Sequence, residues 1–202
     1  MDYFLEEKEN LYRITLFVPS DSLEKIINSK VLDIFGSSLG KDKADYVYLC
    51  IKEILNYVTA VTIINLTGVN EINERTSLLF SDTYLGYVKE KAKARNSFIE
   101  INFIKKDGGI SIEIFNSCAL PKEHEEKIRS LLKMLSSGEE FEISLYSDRK
   151  YDFLTSIIVV WYILREIGVK GELFRIGNVD GKLFVRIEIP LSENYRSVRE
   201  SF

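Results

Sequence analysis

Cysteine, proline, histidine and surplus positive charge are all scarce in this chain, and each scarcity excludes something. The two cysteines, Cys50 and Cys118, stand in unlike contexts with no metal-ligand spacing, which points to a reduced protein. Three prolines and no low-complexity stretch leave no linker, so the 202 residues read as a single domain, 1–202. The single histidine, His124, lies in the charged run Lys122-Glu123-His124-Glu125-Glu126-Lys127, so Cys118 has no base and orienting group to make it a nucleophile. A net charge of -4 excludes a dedicated nucleic-acid binder, which needs a basic surface to neutralise phosphates. The one basic cluster, Lys89, Lys91, Lys93 and Arg95, is interrupted by Glu90 and reads as a solvated helix face. The most apolar run, 153–164, is too short to span a bilayer. The first seven residues lack the basic-then-apolar order of a signal peptide. The expectation is a cytoplasmic protein without membrane or nucleic-acid partners.

What is present is a well-patterned globular sequence, 46% hydrophobic and 29% charged. Tyr12, Ile14, Leu16 and Val18 alternate with Arg13, Thr15 and Phe17 as the first strand, closed by Pro19. Ser20-Asp21-Ser22 offers helix caps, with Asp21 and Glu24 at capping-box spacing. Leu23, Ile26, Ile27, Val31, Ile34 and Phe35 follow at helical spacing up to a stop at Gly36. A second helix over 42–62 is apolar nearly all round and therefore buried, and Gly68 marks a break. Residues 70–93 read as one or two further helices.

The period then changes to two. Ile99, Ile101 and Phe103 pair with Ile110, Ile112 and Ile114 across an Asp107-Gly108-Gly109 turn. A helix over 122–135 follows Pro121, and Phe141, Ile143 and Leu145 suggest a short strand. A very apolar helix over 153–167 stops at Gly168, with Trp161 and Tyr162 as core residues. Strands over 172–176 and 182–189 close the chain around an Asp180-Gly181 turn. Helices early and strands late predict an α+β two-layer α/β sandwich: a mixed, mostly antiparallel sheet with helices on one face.

This order, with the wording of four segments, resembles the histidine-kinase-like ATPases (the GHKL superfamily), and within them the anti-sigma-factor serine kinases. The segments are Tyr12-Arg13-Ile14-Thr15-Leu16-Phe17-Val18-Pro19, the helical stretch from Leu49 to Val58, the strand and loop from Ile112 to Pro121, and the closing Val185-Arg186-Ile187-Glu188-Ile189-Pro190-Leu191. Residues 66–94 fall outside the resemblance and read as a helical insertion.

The resemblance implies a nucleotide site whose residues can be checked in turn. The family's buried helix carries Glu-x-x-x-Asn, two groups on one helix face, the glutamate as base and the asparagine on magnesium. Glu53 matches the first position, as the remnant of a base or as a salt-bridged structural carboxylate. The second position is Tyr57, a poor substitute for the compact oxygen ligands that magnesium needs, and Asn56 is one residue early. In the adenine loop, Asp-x-Gly-x-Gly becomes Asn116, Cys118 and Leu120. Asn116 is either a turn former or an acceptor for the adenine amine. The phosphate-cradling segment matches Ser147-Asp148-Arg149-Lys150-Tyr151-Asp152, which has no glycine.

Two functions follow as expectations. One is a non-catalytic regulatory module on a degenerate ATPase scaffold, with no cofactor, whose partner is a sigma factor, an anti-sigma antagonist, another signalling protein or a second copy of itself. The other is a divergent serine kinase that binds ATP and magnesium, with Glu53 as base. In both, Glu53, Asn56 and Asn116 are the residues left of a nucleotide site.

Overall fold

The computed structural model describes residues 3–68, 81–137 and 154–197. The chain begins with a hairpin, β1 (Tyr3–Lys8) and β2 (Leu11–Leu16), followed by helices α1 (Asp21–Leu39), α2 (Lys41–Thr67) and α3 (Asp82–Ala94). A second hairpin, β3 (Ile99–Lys106) and β4 (Gly109–Asn116), precedes α4 (Lys122–Ser136) and α5 (Leu154–Glu166). A single 3-10 turn, Gly171–Leu173, leads into the last hairpin, β5 (Phe174–Val179) and β6 (Lys182–Pro190).

The six strands form one sheet in the order β1-β2-β3-β4-β6-β5, and every described pairing is antiparallel. The expected mixed sheet is corrected on this point. Each strand is hydrogen-bonded to at least one strand joined to it by a short turn, and hairpins can only be antiparallel.

Alternation decides which face is dry. Ile14 and Leu16, Ile99 and Ile101, Ile112 and Ile114, and Val185 and Ile187 are all buried, and they share one core with residues of α1, α2, α4 and α5. The helices therefore lie on that face, giving the two layers. On the other face the register lines up Arg13, Asn102, Glu113 and Arg186 on four adjacent strands. The Arg13 Nε donates to Asn102 Oδ1 at 2.9 Å. Past β6 the chain folds back, Leu191 and Ser192 donating to the Gly108 carbonyl and the Tyr195 hydroxyl donating to buried Glu188 at 2.6 Å.

Several local expectations shift. β1 was not legible, because Phe4-Leu5 gives no alternation of apolar and polar residues. α1 runs through Gly36 to Leu39, and the chain turns at Gly40, whose φ of 82° suits glycine. The capping box does not form; Ser20 is the N-cap and its hydroxyl meets that of Ser22 instead. α2 is longer than expected and ends on Gly68, left-handed at φ 72°, as the break there predicts. The last hairpin turns through Asp180 and Gly181, both at positive φ, while residues 171–173 are a 3-10 turn rather than the start of a strand. The C-terminal part of the expected insertion is α3. Its first residues, 66–68, instead close α2, while residues 69–80, the strand expected through Phe141, Ile143 and Leu145, and the segment 147–152 lie outside the described residues.

Among the described residues α2 is the one helix long and apolar enough to cross a membrane by length and composition. Its most apolar stretch is 67% buried within this fold, with Val47, Cys50, Ile51, Ile54 and Val58 in the main core.

Candidate functional site

Three of the candidate residues, Glu53, Asn56 and Tyr57, stand on α2, and Asn116 stands at the end of β4. Glu53 is half-buried and turns towards α5, where Ser156 donates its hydroxyl to Oε2 at 2.8 Å. Among the described residues Glu53 makes no ion pair; the charge beside it, Lys52, is bound at 2.9 Å to Glu24 of α1. Asn56, about 100° round the helix from Tyr57, lines a crevice of only about 10 Å³ between α1 and α2, together with Leu23, Glu24, Tyr48 and Lys52. That volume accepts at most one water.

Among the described residues Tyr57 is the largest fully buried side chain, 1% exposed and part of the main core. Burial pushes its phenol well above the ordinary tyrosine range, so the ring is neutral. The side chains on this stretch therefore do not fit a magnesium ion bridged to a triphosphate. Where the pattern calls for an amide oxygen, a ring fills the space, and the nearest amide is on another face. Among the described residues no group of three or more His, Cys, Asp and Glu side chains stands together as a metal site.

Asn116 ends β4 with no exposed surface. Its Nδ2 donates to the Val58 carbonyl at 3.1 Å and to Thr62 Oγ1 at 3.0 Å, both on α2. Its Oδ1 accepts from the Cys118 amide at 3.0 Å, the side-chain-to-backbone bond two residues on that makes an Asx turn. The side chain is thus a bolt between the sheet and α2, with every polar atom used inside the protein.

The loop that follows is pinned residue by residue. The Ser117 hydroxyl accepts from the Phe98 amide at 2.9 Å and meets Ser97 Oγ at the same distance. The Cys118 carbonyl accepts from Leu183, and the Ala119 carbonyl accepts from Asn65 of α2 at 3.1 Å. Asn178 of β5 holds both backbone groups of Leu120, accepting from its N–H at 2.8 Å and donating to its carbonyl at 2.9 Å, while its Nδ2 also reaches Glu125. Cys118 and Leu120 turn into the core. Burial pushes the Cys118 thiol up, partly offset by hydrogen bonds with Ser97 and Ser117 and by the charge of Arg95.

Sequence reasoning missed Ser156, Thr62 and Asn178 as the partners of this region. The only linear signal was that Asn178 stands just ahead of the Asp180-Gly181 turn; the other two are ordinary helix residues until the fold is known.

One titration follows from α2. Burial, and then the charge of Glu53, push the Cys50 thiol from 9.0 up to about 12. Between those values the unfolded chain has lost the proton that the folded chain keeps, so the folded state binds more protons and stability falls as pH rises. The expected result is a decline in unfolding free energy that begins above about pH 9, with a ceiling from this thiol of roughly 4 kcal/mol. Urea titrations between pH 8 and the alkaline limit should show a shallower decline in Cys50→Ala. An unchanged slope would show that Cys50 is not the group responsible.

Neither a protein family, nor a curated protein, nor a solved structure matches this chain. What the residues themselves define is an α+β domain in which the candidate helix, the β4 end and its loop are joined by side-chain hydrogen bonds.

Proposed function

We propose that the chain is a non-catalytic regulatory module, a protein-interaction domain on a degenerate histidine-kinase-like ATPase scaffold of the anti-sigma-factor type, acting in the cytoplasm. The observation that carries this reading is Tyr57: a buried, neutral phenol stands four residues after Glu53, where a magnesium-binding kinase of this class needs an asparagine. Two further facts support it. Glu53 already accepts a hydroxyl from Ser156, and the Asn116 amide has no polar atom to spare for a base. A scaffold without that chemistry still presents helices and sheet edges, so its partners are a sigma factor, an anti-sigma antagonist, another signalling protein or a second copy of the chain.

The competing reading is a divergent ATP-dependent serine kinase that uses Glu53 as base, and thermal unfolding separates the two. A ligand at 100 times its dissociation constant stabilises a fold by about 2.7 kcal/mol. For a domain of this size that raises the melting temperature by roughly 5–10 °C. With millimolar magnesium-ATP we expect a shift within about 1 °C of zero, no more than a site half-occupied by ligand gives. A saturable rise of several degrees that needs both metal and nucleotide would overturn the proposal in favour of the kinase.

A further inference from the structure

Arg175 on β5 stands directly opposite Arg186 on β6, two like charges in one cross-strand pair on the sheet face away from the helices. Such a pair weakens a sheet unless something neutralises it. The Arg186 side chain is 14% exposed and lies 3.5 Å from buried Glu188, a carboxylate that also accepts from Tyr195 and Ser197. Its neighbour on β4, Glu113, accepts from Ser111 at 3.4 Å and makes no ion pair among the described residues. Arg175 has neither an ion pair nor a side-chain hydrogen bond among the described residues. Its Nε and Nη2, and the Nε of Arg186, are shut off from solvent without a hydrogen-bond partner. Donors of a charged group buried in this way are costly, and a bound ion is one of the few things that satisfies them. Arg175 Nη1 and the two terminal nitrogens of Arg186 are not among the buried atoms and remain for a ligand.

The next row on the same face is aromatic. Phe115 and Phe184 stand opposite each other with ring centroids 4.8 Å apart, and the Arg186 guanidinium carbon is 5.6 Å from the Phe184 ring. Both rings are partly exposed. Beside Phe184 the row ends in Gly177, two residues from Arg175 on β5. A Cβ at Gly177 would meet only Glu125 Oε1, at 3.5 Å, so the space next to the ring is open. Glu125 itself is held by Asn178 and Arg129.

We propose that Arg175 and Arg186 form an oxyanion site for the phosphate group of a small phosphate ester, whose flat apolar body lies against Phe184 above Gly177. A phosphate monoester carries close to two negative charges at neutral pH, which answers two arginines better than one carboxylate does. Guanidinium groups grip its oxygens in a fork, and an aromatic face accepts a flat partner. Glu113 and Glu125 are the carboxylates nearby that oppose an anion, and the surface is open, so the affinity is in the low-millimolar range. The site lies on the opposite face of the sheet from α2 and does not rest on the regulatory reading.

Nitrogen-proton correlation spectra of the full chain test it, during titration with phenyl phosphate without metal and at an ionic strength fixed with sodium chloride. The Nε–H signals of Arg175 and Arg186 and the amides of 174–177 and 184–187 should shift along one saturating curve. Inorganic phosphate should bind the same groups about fivefold more weakly, which assigns the ester and not the free ion. Arg175→Gln should weaken binding by about tenfold or more, while Lys105→Gln, at an exposed lysine of β3, leaves it unchanged. The signals of the unaltered chain keep the test valid if a variant folds poorly. Equal shifts with chloride alone, shifts that never saturate, or binding indifferent to Arg175→Gln would overturn the site. Equal affinity for the two phosphates would remove Phe184 from it. With no magnesium present, neither result touches the magnesium-ATP test or the reading it addresses.

Discussion

Replacing Tyr57 by asparagine, which writes the family's Glu-x-x-x-Asn pattern into α2, should destabilise the protein and bring no nucleotide binding. The ring is 1% exposed within a core of close-packed aliphatic residues. Removing most of an aromatic side chain from such a site costs about 3–5 kcal/mol, the transfer of the ring plus the cavity left behind. For a chain of this length that is roughly 6–20 °C of melting temperature. The new amide would sit in that cavity without the partners a buried polar group requires. Tyr57→Phe keeps the ring and should lose only about 1–2 kcal/mol, so the pair of variants separates packing from the hydroxyl. Calorimetry with and without magnesium-ATP decides the matter. A Tyr57→Asn protein that melts near the parent and gains a metal-dependent nucleotide shift would mean that an intact pocket waits behind the ring.

The second large effect is expected at Asn116. Asn116→Asp introduces the acidic residue that the adenine loop of the histidine-kinase-like ATPases carries, with almost no change of shape, yet it converts a donor into an acceptor. Nδ2 now donates to the Val58 carbonyl and to Thr62 Oγ1. A carboxylate oxygen there would face the Val58 carbonyl with no water within reach, the position being fully buried. An unpaired buried charge costs about 3–5 kcal/mol. The group would escape part of that by keeping its proton, so its folded-state pKa rises. Stability relative to the parent is then highest below the ordinary aspartate range and is lost as pH rises through the folded-state value. Denaturation of both proteins at pH 7 and at about pH 4 should therefore give a difference of roughly 4 kcal/mol that shrinks on acidification. A constant difference would show that lost packing, not charge, is responsible, and a variant as stable as the parent would mean that Asn116 is not the bolt described here.

Both expectations depend on contacts that differ in how well the sequence announces them. The burial of α2 is announced by apolar residues on every side, and the break at Gly68 by a glycine free to turn left-handed. The hairpin of β3 and β4 is written in alternating isoleucines around Asp107-Gly108-Gly109. β1 is not announced, since a strand at the rim, apolar on both faces for three residues, has no period to detect. The extension of α1 beyond Gly36 is hidden for another reason: a glycine inside a helix costs only about 1 kcal/mol, which the burial of Val31 and Phe35 in the main core outweighs.

The chemistry around the candidate helix divides the same way. That position 57 carries a phenol, and that positions 118 and 120 lack glycine, can be read directly from the chain. That Glu53 meets Ser156 103 positions away, that Asn116 spans 58 and 54 positions to α2, and that Asn178 grips Leu120 over 58 positions can be read only from the folded molecule. Hydrophobic period is a local property, repeated every two or 3.6 residues, and so it survives in the linear order. Which polar atoms meet is settled by how sheet and helices stack, and two half-buried side chains carry no mark of each other until that packing brings them within three ångströms.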